Sequence, residues 1–213
     1  AKLALDLTPL KKYPDFRNLW AAGLVSYLGS MITYVAIPFQ IKELTNSYLA
    51  VGIVGAIELV PLIVFGLYGG VLADSVNRKI MVWATEAAAL ILVALLLANS
   101  VLWEPKVWVI YIAAGLFAVV DGLQRPSADA MLPRLVSHQD LPAATALMSL
   151  RWQLGLIVGP TVGGIIFATF SISAGFAVDM ATYVVALVFL AREMSALIER
   201  ERVVRPMTTT VLV

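Results

Sequence analysis

Six long apolar runs, each separated from the next by a short polar or proline-bearing stretch, constrain this chain more than any other feature. They lie at about 18–40, 48–73, 80–102, 107–124, 143–170 and 174–192. A helix crossing a bilayer needs roughly 20 mainly apolar residues, and the runs are of that order. Their apolarity is continuous rather than alternating over about ten residues, which fits helices and not barrel strands. Composition agrees. Of 213 residues, 61% are hydrophobic and 14% charged, whereas soluble domains are about half apolar and about a quarter charged. A core of this size cannot hide so much apolar surface from water, so the solvent is lipid. The fold class predicted is an all-α membrane protein with six transmembrane helices.

Several function classes fall away at once. The net charge of +1 gives a nucleic-acid partner no electrostatic support. The absence of cysteine removes disulfides, thiolate metal sites and cysteine nucleophiles. One histidine, His138, in a polar loop leaves no nucleophile–base pair or ligand cluster on which to build an enzyme or a metal site. The first residues, "AKLALDLTPLKKYPDFRN", have no apolar core followed by a small-residue cleavage site. The chain begins with Ala1, which is read as trimming.

Orientation follows from Lys and Arg. One side of the alternating loops carries Lys2, Lys11, Lys12 and Arg17, then Arg78 and Lys79, then Arg125, Arg134 and Arg151, then Arg192, Arg200, Arg202 and Arg205. The other carries Lys42 and Lys106. Both termini are therefore expected in the cytoplasm. The organisation expected is a cytoplasmic segment at 1–17, a six-helix domain at 18–192 and a cytoplasmic linker or tail at 193–213.

The second break, "GGVLADSVNRK" at residues 69–79, is unusually polar. Gly69 and Gly70 permit a close helix approach, and Asp74 follows Gly70 by one turn. Asn77 tolerates the left-handed backbone of a tight reversal, and Arg78 and Lys79 open the third helix. A turn that only set topology would need the basic pair alone. In the fifth run, "GLIVGPTVGG" places Gly155, Gly159, Pro160, Gly163 and Gly164. Small residues four apart favour close helix packing, and proline removes a backbone bond and kinks the helix.

These two stretches resemble signatures of the major facilitator superfamily. Gly70, Asp74, Arg78 and Lys79 match its turn between the second and third helices, with Ser75 and Asn77 departing from the usual basic residue and glycine. The fifth-helix stretch is similar to that of the superfamily's antiporter (efflux) branch. "YPDFRNLW", "YVAIPFQI" with Pro38, "RPSADAMLPRLVSHQDLPAATALMS" and "GFAVDMATYVVALVFL" resemble the branch that holds enterobactin exporters and related drug-efflux proteins. The resemblance spans nearly the whole chain. It implies one half of a major facilitator fold, six helices arranged as two inverted three-helix repeats. A faint repeat, Pro61 before Gly69-Gly70 and Pro160 before Gly163-Gly164, agrees. The turn is then a cytoplasmic latch between two halves of a transporter.

Charges inside spans are costly and commonly functional. Four acids qualify: Glu58, Glu86, Asp121 and Asp179. Glu86, two turns from the cytoplasmic end, is expected to snorkel, and Asp179 to make a structural hydrogen bond at the external rim. Asp121 is the first candidate for proton coupling and Glu58 the second, because a conformational change that alters a carboxyl's burial and charged neighbours moves its proton. Arg125, four residues on, and Arg151 are the candidate charge partners. A local salt bridge for Asp121 and a bonded neutral carboxyl for Glu58 are the structural alternatives. The resemblance implies that the first helix lies at a central cavity, which makes Tyr27, Ser30, Thr33 and Tyr34 candidates to line it; bonding to neighbouring helices is the structural alternative. Trp20, Trp103 and Trp108 are expected as interfacial anchors.

The function expected is proton-coupled efflux of small amphipathic molecules, siderophores or drugs, by alternating access. It would take place in the inner membrane and use the proton gradient with no cofactor. The partners implied are the lipid bilayer, a small-molecule substrate and a second six-helix half. That half is either the remainder of a longer chain, the expectation here, or a second copy. An uptake carrier of the same fold and a non-transporting membrane scaffold are the alternatives.

Overall fold

The computed structural model describes residues 6–75 and 77–208, with side chains described over 6–69 and 77–191. A short helix, α1 (Thr8–Lys12), precedes six long ones: α2 (Pro14–Thr45), α3 (Tyr48–Ser75), α4 (Arg78–Ser100), α5 (Val107–Leu135), α6 (Leu141–Thr169) and α7 (Ile172–Thr208). Each of the six has a stretch long and apolar enough to cross a membrane.

The helices run further than the apolar runs, and most expected breaks shrink to a few residues. α2 continues through "KELT" and stops at Asn46, which adopts a left-handed backbone (φ 52°) while its N–H bonds the Lys42 carbonyl. Asparagine is among the few residues that accept this cap geometry readily. The largest difference lies in α5. The stretch after residue 124, expected as loop, stays helical through Pro126 and Pro133 to Leu135. Proline leaves the carbonyl four residues earlier unbonded. For Pro126 that is Gly122, whose backbone lies tight against α3: a Cβ added at Gly122 would meet the Gly66 nitrogen at 2.8 Å, and one added at Gly69 would meet the Gly122 carbonyl oxygen at 2.6 Å. Asn77 also departs from expectation. Its backbone is extended (φ −63°, ψ 110°), and it caps α4 by accepting the Lys79 N–H at 3.0 Å, a favoured role for asparagine. α7 continues as helix to Thr208, into the segment expected as linker or tail.

The closest packings pair α3 with α5, α2 with α7, α2 with α6, α4 with α5, and α4 with α7. Exchanging the first three long helices for the last three turns the α3–α5 pair into α6–α2 and the α4–α5 pair into α7–α2, and leaves α4–α7 unchanged. The packing is thus symmetric under exchange of two three-helix units, as inverted repeats require. One buried cluster, with Ile41, Val93, Leu96, Ile110 and Phe176, joins α2, α4, α5 and α7. A second, around Phe16, Leu147 and Met148, seats the start of α2 on α6. At this end Lys12 and Tyr13 each donate to Asp140 at 2.8 Å, and the Trp20 indole N–H donates to the Leu147 carbonyl at 2.9 Å. Trp20 is therefore a helix tie rather than a free interfacial anchor, whereas Trp103 and Trp108 are exposed.

Candidate functional site

A cavity of about 320 Å³ opens between α2, α3, α5, α6 and α7. From α2, Tyr27, Ser30, Thr33 and Tyr34 line it together, the four residues expected to do so. Glu58 reaches it from α3, Asp121 and Arg125 from α5, and Tyr183 from α7. Neither Glu58 nor Asp121 has a hydrogen-bond partner among the described residues; Asp121 is exposed to the cavity and Glu58 is half-buried. One helix turn separates Asp121 from Arg125, but they form no ion pair within 4 Å. Between described residues such pairs are Lys12–Asp140 and Lys106–Glu104. The Arg125 guanidinium instead lies over the Trp152 ring, 4.7 Å from its centre. An aromatic face is a favourable seat for a guanidinium. Tyr27 meets the same ring edge-on, with centroids 4.3 Å apart.

Tyr27, Ser30, Asp121, Arg125 and Tyr183 also line a smaller cavity of about 50 Å³. Its far wall holds Glu86 on α4, Gln124 on α5 and Arg151 on α6. Glu86 does not snorkel: it is 2% exposed and accepts hydrogen bonds from Ser26 Oγ (3.0 Å) and Gln124 Nε2 (2.8 Å). The extension of α5 is the reason, because it carries Gln124 within the helix, opposite Glu86. Asp179 is likewise in the core, and it makes the structural hydrogen bonds expected of it. It is fully buried and accepts bonds from the Thr33 and Thr182 hydroxyls, with Gly29 leaving room for them. Trp152, Gln124 and Tyr183 have no prior mark in the sequence pattern. Trp152 had one available signal, its place beside Arg151 in an otherwise apolar helix.

The glycines of α6 divide by face. Added Cβ atoms at Gly155 and Gly159 would strike Tyr27 and Met31 of α2, and one at Gly163 would touch Ile32. Gly164 faces open space. Pro160 stands in the helix interior and leaves the Leu156 carbonyl without its usual donor. Of the charged turn, Gly70 and Asp74 lie outside the described side chains. Arg78 donates to the Ala130 carbonyl of α5 at 3.0 Å, and Lys79 follows the Asn77 cap. His138 is exposed in the loop before α6.

Six apolar helices in two symmetry-related triplets, with acids, a guanidinium and aromatics gathered in a lateral cavity, define half of a major facilitator transporter. The family comparison agrees: the model of the family described as "Transmembrane secretion effector", MFS_3, matches residues 4–211, and the chain belongs to that family. Among curated proteins it is similar to the enterobactin exporter EntS of Shigella boydii serotype 18, with 31% identity over 191 residues, covering 88% of this chain and 45% of the relative. EntS of Escherichia coli O1:K1 / APEC and of Citrobacter koseri match at 30% with the same coverage. The chain spans about half the length of these relatives.

Proposed function

We propose that this chain is the N-terminal half of a proton-coupled exporter of small amphipathic molecules, with siderophores or drugs as the substrate class. The observation that carries the reading is the meeting of Glu58, Asp121 and Arg125 with Tyr27, Tyr34 and Tyr183 around one cavity. Acids without fixed partners beside a cation change protonation when that cation moves, and aromatic walls suit an amphipathic guest. Asp121 is the primary proton carrier and Glu58 the second. Arg125, held on Trp152 in this state, is the mobile counter-charge, with Arg151 behind it. The turn of Gly70, Asp74, Arg78 and Lys79 is the latch to a second six-helix half. The glycine face of α6, with Pro160, is the surface on which that helix moves during alternating access. The protein sits in the inner membrane with both termini cytoplasmic, as the placement of Lys and Arg supports.

The test uses the full-length protein that carries this chain, in everted vesicles with an imposed proton gradient. Gradient-driven export of a catecholate siderophore or an amphipathic dye is expected, and Asp121→Asn abolishes it while leaving the amount of protein in the membrane unchanged. Unimpaired gradient-driven export in Asp121→Asn and in Glu58→Gln refutes the assignment. Transport in the opposite direction makes the protein an uptake carrier instead.

A further inference from the structure

The smaller cavity also holds Glu86, an acid to which the proposed export cycle gives no role, and Arg151, which that cycle keeps in reserve behind Arg125. Glu86 is 2% exposed and Arg151 is 6% exposed. Both bonds to Glu86 end on one oxygen, Oε1, while Oε2 has no partner, and neither does the Arg151 Nε. Buried polar atoms are almost always bonded, and a buried carboxylate held apart from a cation is costly unless it is protonated. One oxygen accepting twice while the other accepts nothing is the pattern of a neutral carboxylic acid, with the carbonyl accepting and the O–H free to donate.

We propose that Glu86 is a further proton-binding site and Arg151 its switchable counter-charge. With Glu86 neutral, the guanidinium rests over Gly23 and beside Trp152, 5.6 Å from the ring centre. When the Oε2–H bond breaks, the proton leaves through the cavity and the electron pair stays on the carboxylate. The buried anion then draws the guanidinium across, and α6 moves toward α4. Other groups face this pair from every neighbouring helix. Ser26 and Tyr27 come from α2, Gln124 with Asp121 and Arg125 from α5, and Tyr183 from α7. Asp179 of α7 is within electrostatic reach of Glu86, and Asp129 of α5 within reach of Arg151. None of them bonds the unpartnered atoms of the pair.

The consequence for motion lies in the spacing. Arg151, Gly155, Gly159 and Gly163 follow at four-residue intervals, so they share one face of α6. A pull on Arg151 therefore acts along the smooth glycine face that rests on α2. This inference rests on the proton-coupled reading only for its use; the switch itself is measured without substrate.

The chain has no cysteine, so labels placed by Ala84→Cys on α4 and Ser149→Cys on α6 report alone if the rest of the full-length protein is also made cysteine-free. Double electron–electron resonance in lipid vesicles, at acid and at alkaline pH, reads their separation. The expected result is a shortening by about 1–2 Å on raising the pH, the usual size of a helix shift. It is lost in Glu86→Gln and, as a second and independent variant, in Arg151→Gln. Infrared difference spectra between the two pH values lose one neutral-carboxyl band in Glu86→Gln. A separation that ignores pH, or a pH response that survives either substitution, overturns the proposal. A wild-type protein that shows the switch but no proton-driven export separates failure of the export reading from failure of this one.

Discussion

Replacing Gly159 by alanine adds one methyl group to α6 where it lies close against the α2 backbone. That methyl would strike Met31 Cβ and lie 3.0 Å from the Leu28 carbonyl oxygen. The oxygen belongs to a helix backbone and Met31 Cβ is fixed by that backbone, so no rotamer change relieves the clash and α2 and α6 must separate. Overpacking of this kind costs about 1–3 kcal/mol. A loss of about 2 kcal/mol lowers the ratio of folded to unfolded protein roughly thirty-fold. Gly164→Ala is the internal control, because its methyl meets nothing within 4 Å. Its helix-propensity gain over glycine, up to about 1 kcal/mol, is present in both variants and acts in the opposite direction. Titration into denaturing detergent, followed by tryptophan fluorescence and circular dichroism, measures the difference. The expected order of loss is Gly159→Ala first, then Gly155→Ala, where the Tyr27 ring has some freedom to turn. Gly163→Ala follows with its 3.4 Å contact to Ile32, and Gly164→Ala costs nothing. Equal cost at Gly164 and Gly159 would refute the idea that a glycine face, rather than glycine content, sets this packing.

Other expected outcomes follow from single contacts. Hydrogen bonds from Lys12 and Tyr13 hold the half-buried Asp140 carboxyl below its ordinary range, and Asp140 raises Lys12 in return. The lowered Asp140 contributes to docking of the N-terminal segment above the ordinary carboxylate range and ceases to as pH falls through its lowered value. The raised Lys12 contributes below the ordinary lysine range and ceases to as pH rises through its raised value. Within the window between, tryptic cleavage after Lys12 should thus be slow in the native protein and fast in Asp140→Asn. Thr33→Val removes a donor from the buried Asp179 and should cost about 1–3 kcal/mol in the same detergent titration, with Thr33→Ser restoring most of it. Trp20→Phe deletes the bond to the Leu147 carbonyl and should cost about 0.5–1.5 kcal/mol, with no change in helix content by circular dichroism.

The fold was legible because lipid imposes a length rule that the apolar runs obey, and because Gly-Pro and Gly-Gly spacings mark helix faces that touch. Tyr27, Ser30, Thr33 and Tyr34 were legible through the family resemblance, which puts the first helix beside a central cavity. What misled was the treatment of prolines as ends. Pro126 and Pro133 sit inside α5, and the carbonyl freed by Pro126 belongs to Gly122, where α3 packs against the backbone itself. A proline can persist in a membrane helix when a neighbour encloses the interrupted bond, and that neighbour is invisible in a one-dimensional pattern.

The misplacement of Glu86 is a consequence of the same error. With α5 ended near residue 124, an acid two turns into α4 stands close to an open rim and is free to reach water. With α5 continued to Leu135, Gln124 is an interior position that donates to Glu86 at 2.8 Å, and α2 supplies Ser26 from the other side. Depth along a helix measures distance from the membrane surface, not from water, and the two differ wherever a neighbouring helix outruns its apolar run. The pairing of Arg125 shows the complementary limit. Spacing put it on the face of Asp121, yet a guanidinium chooses between a carboxylate one turn away and an aromatic ring on another helix. Here it lies over Trp152, which leaves the acid in the cavity unpaired. Two acids without a fixed cation, Asp121 and Glu86, and two guanidiniums, those of Arg125 and Arg151, gathered at one tryptophan make charge separation the organising feature of this half.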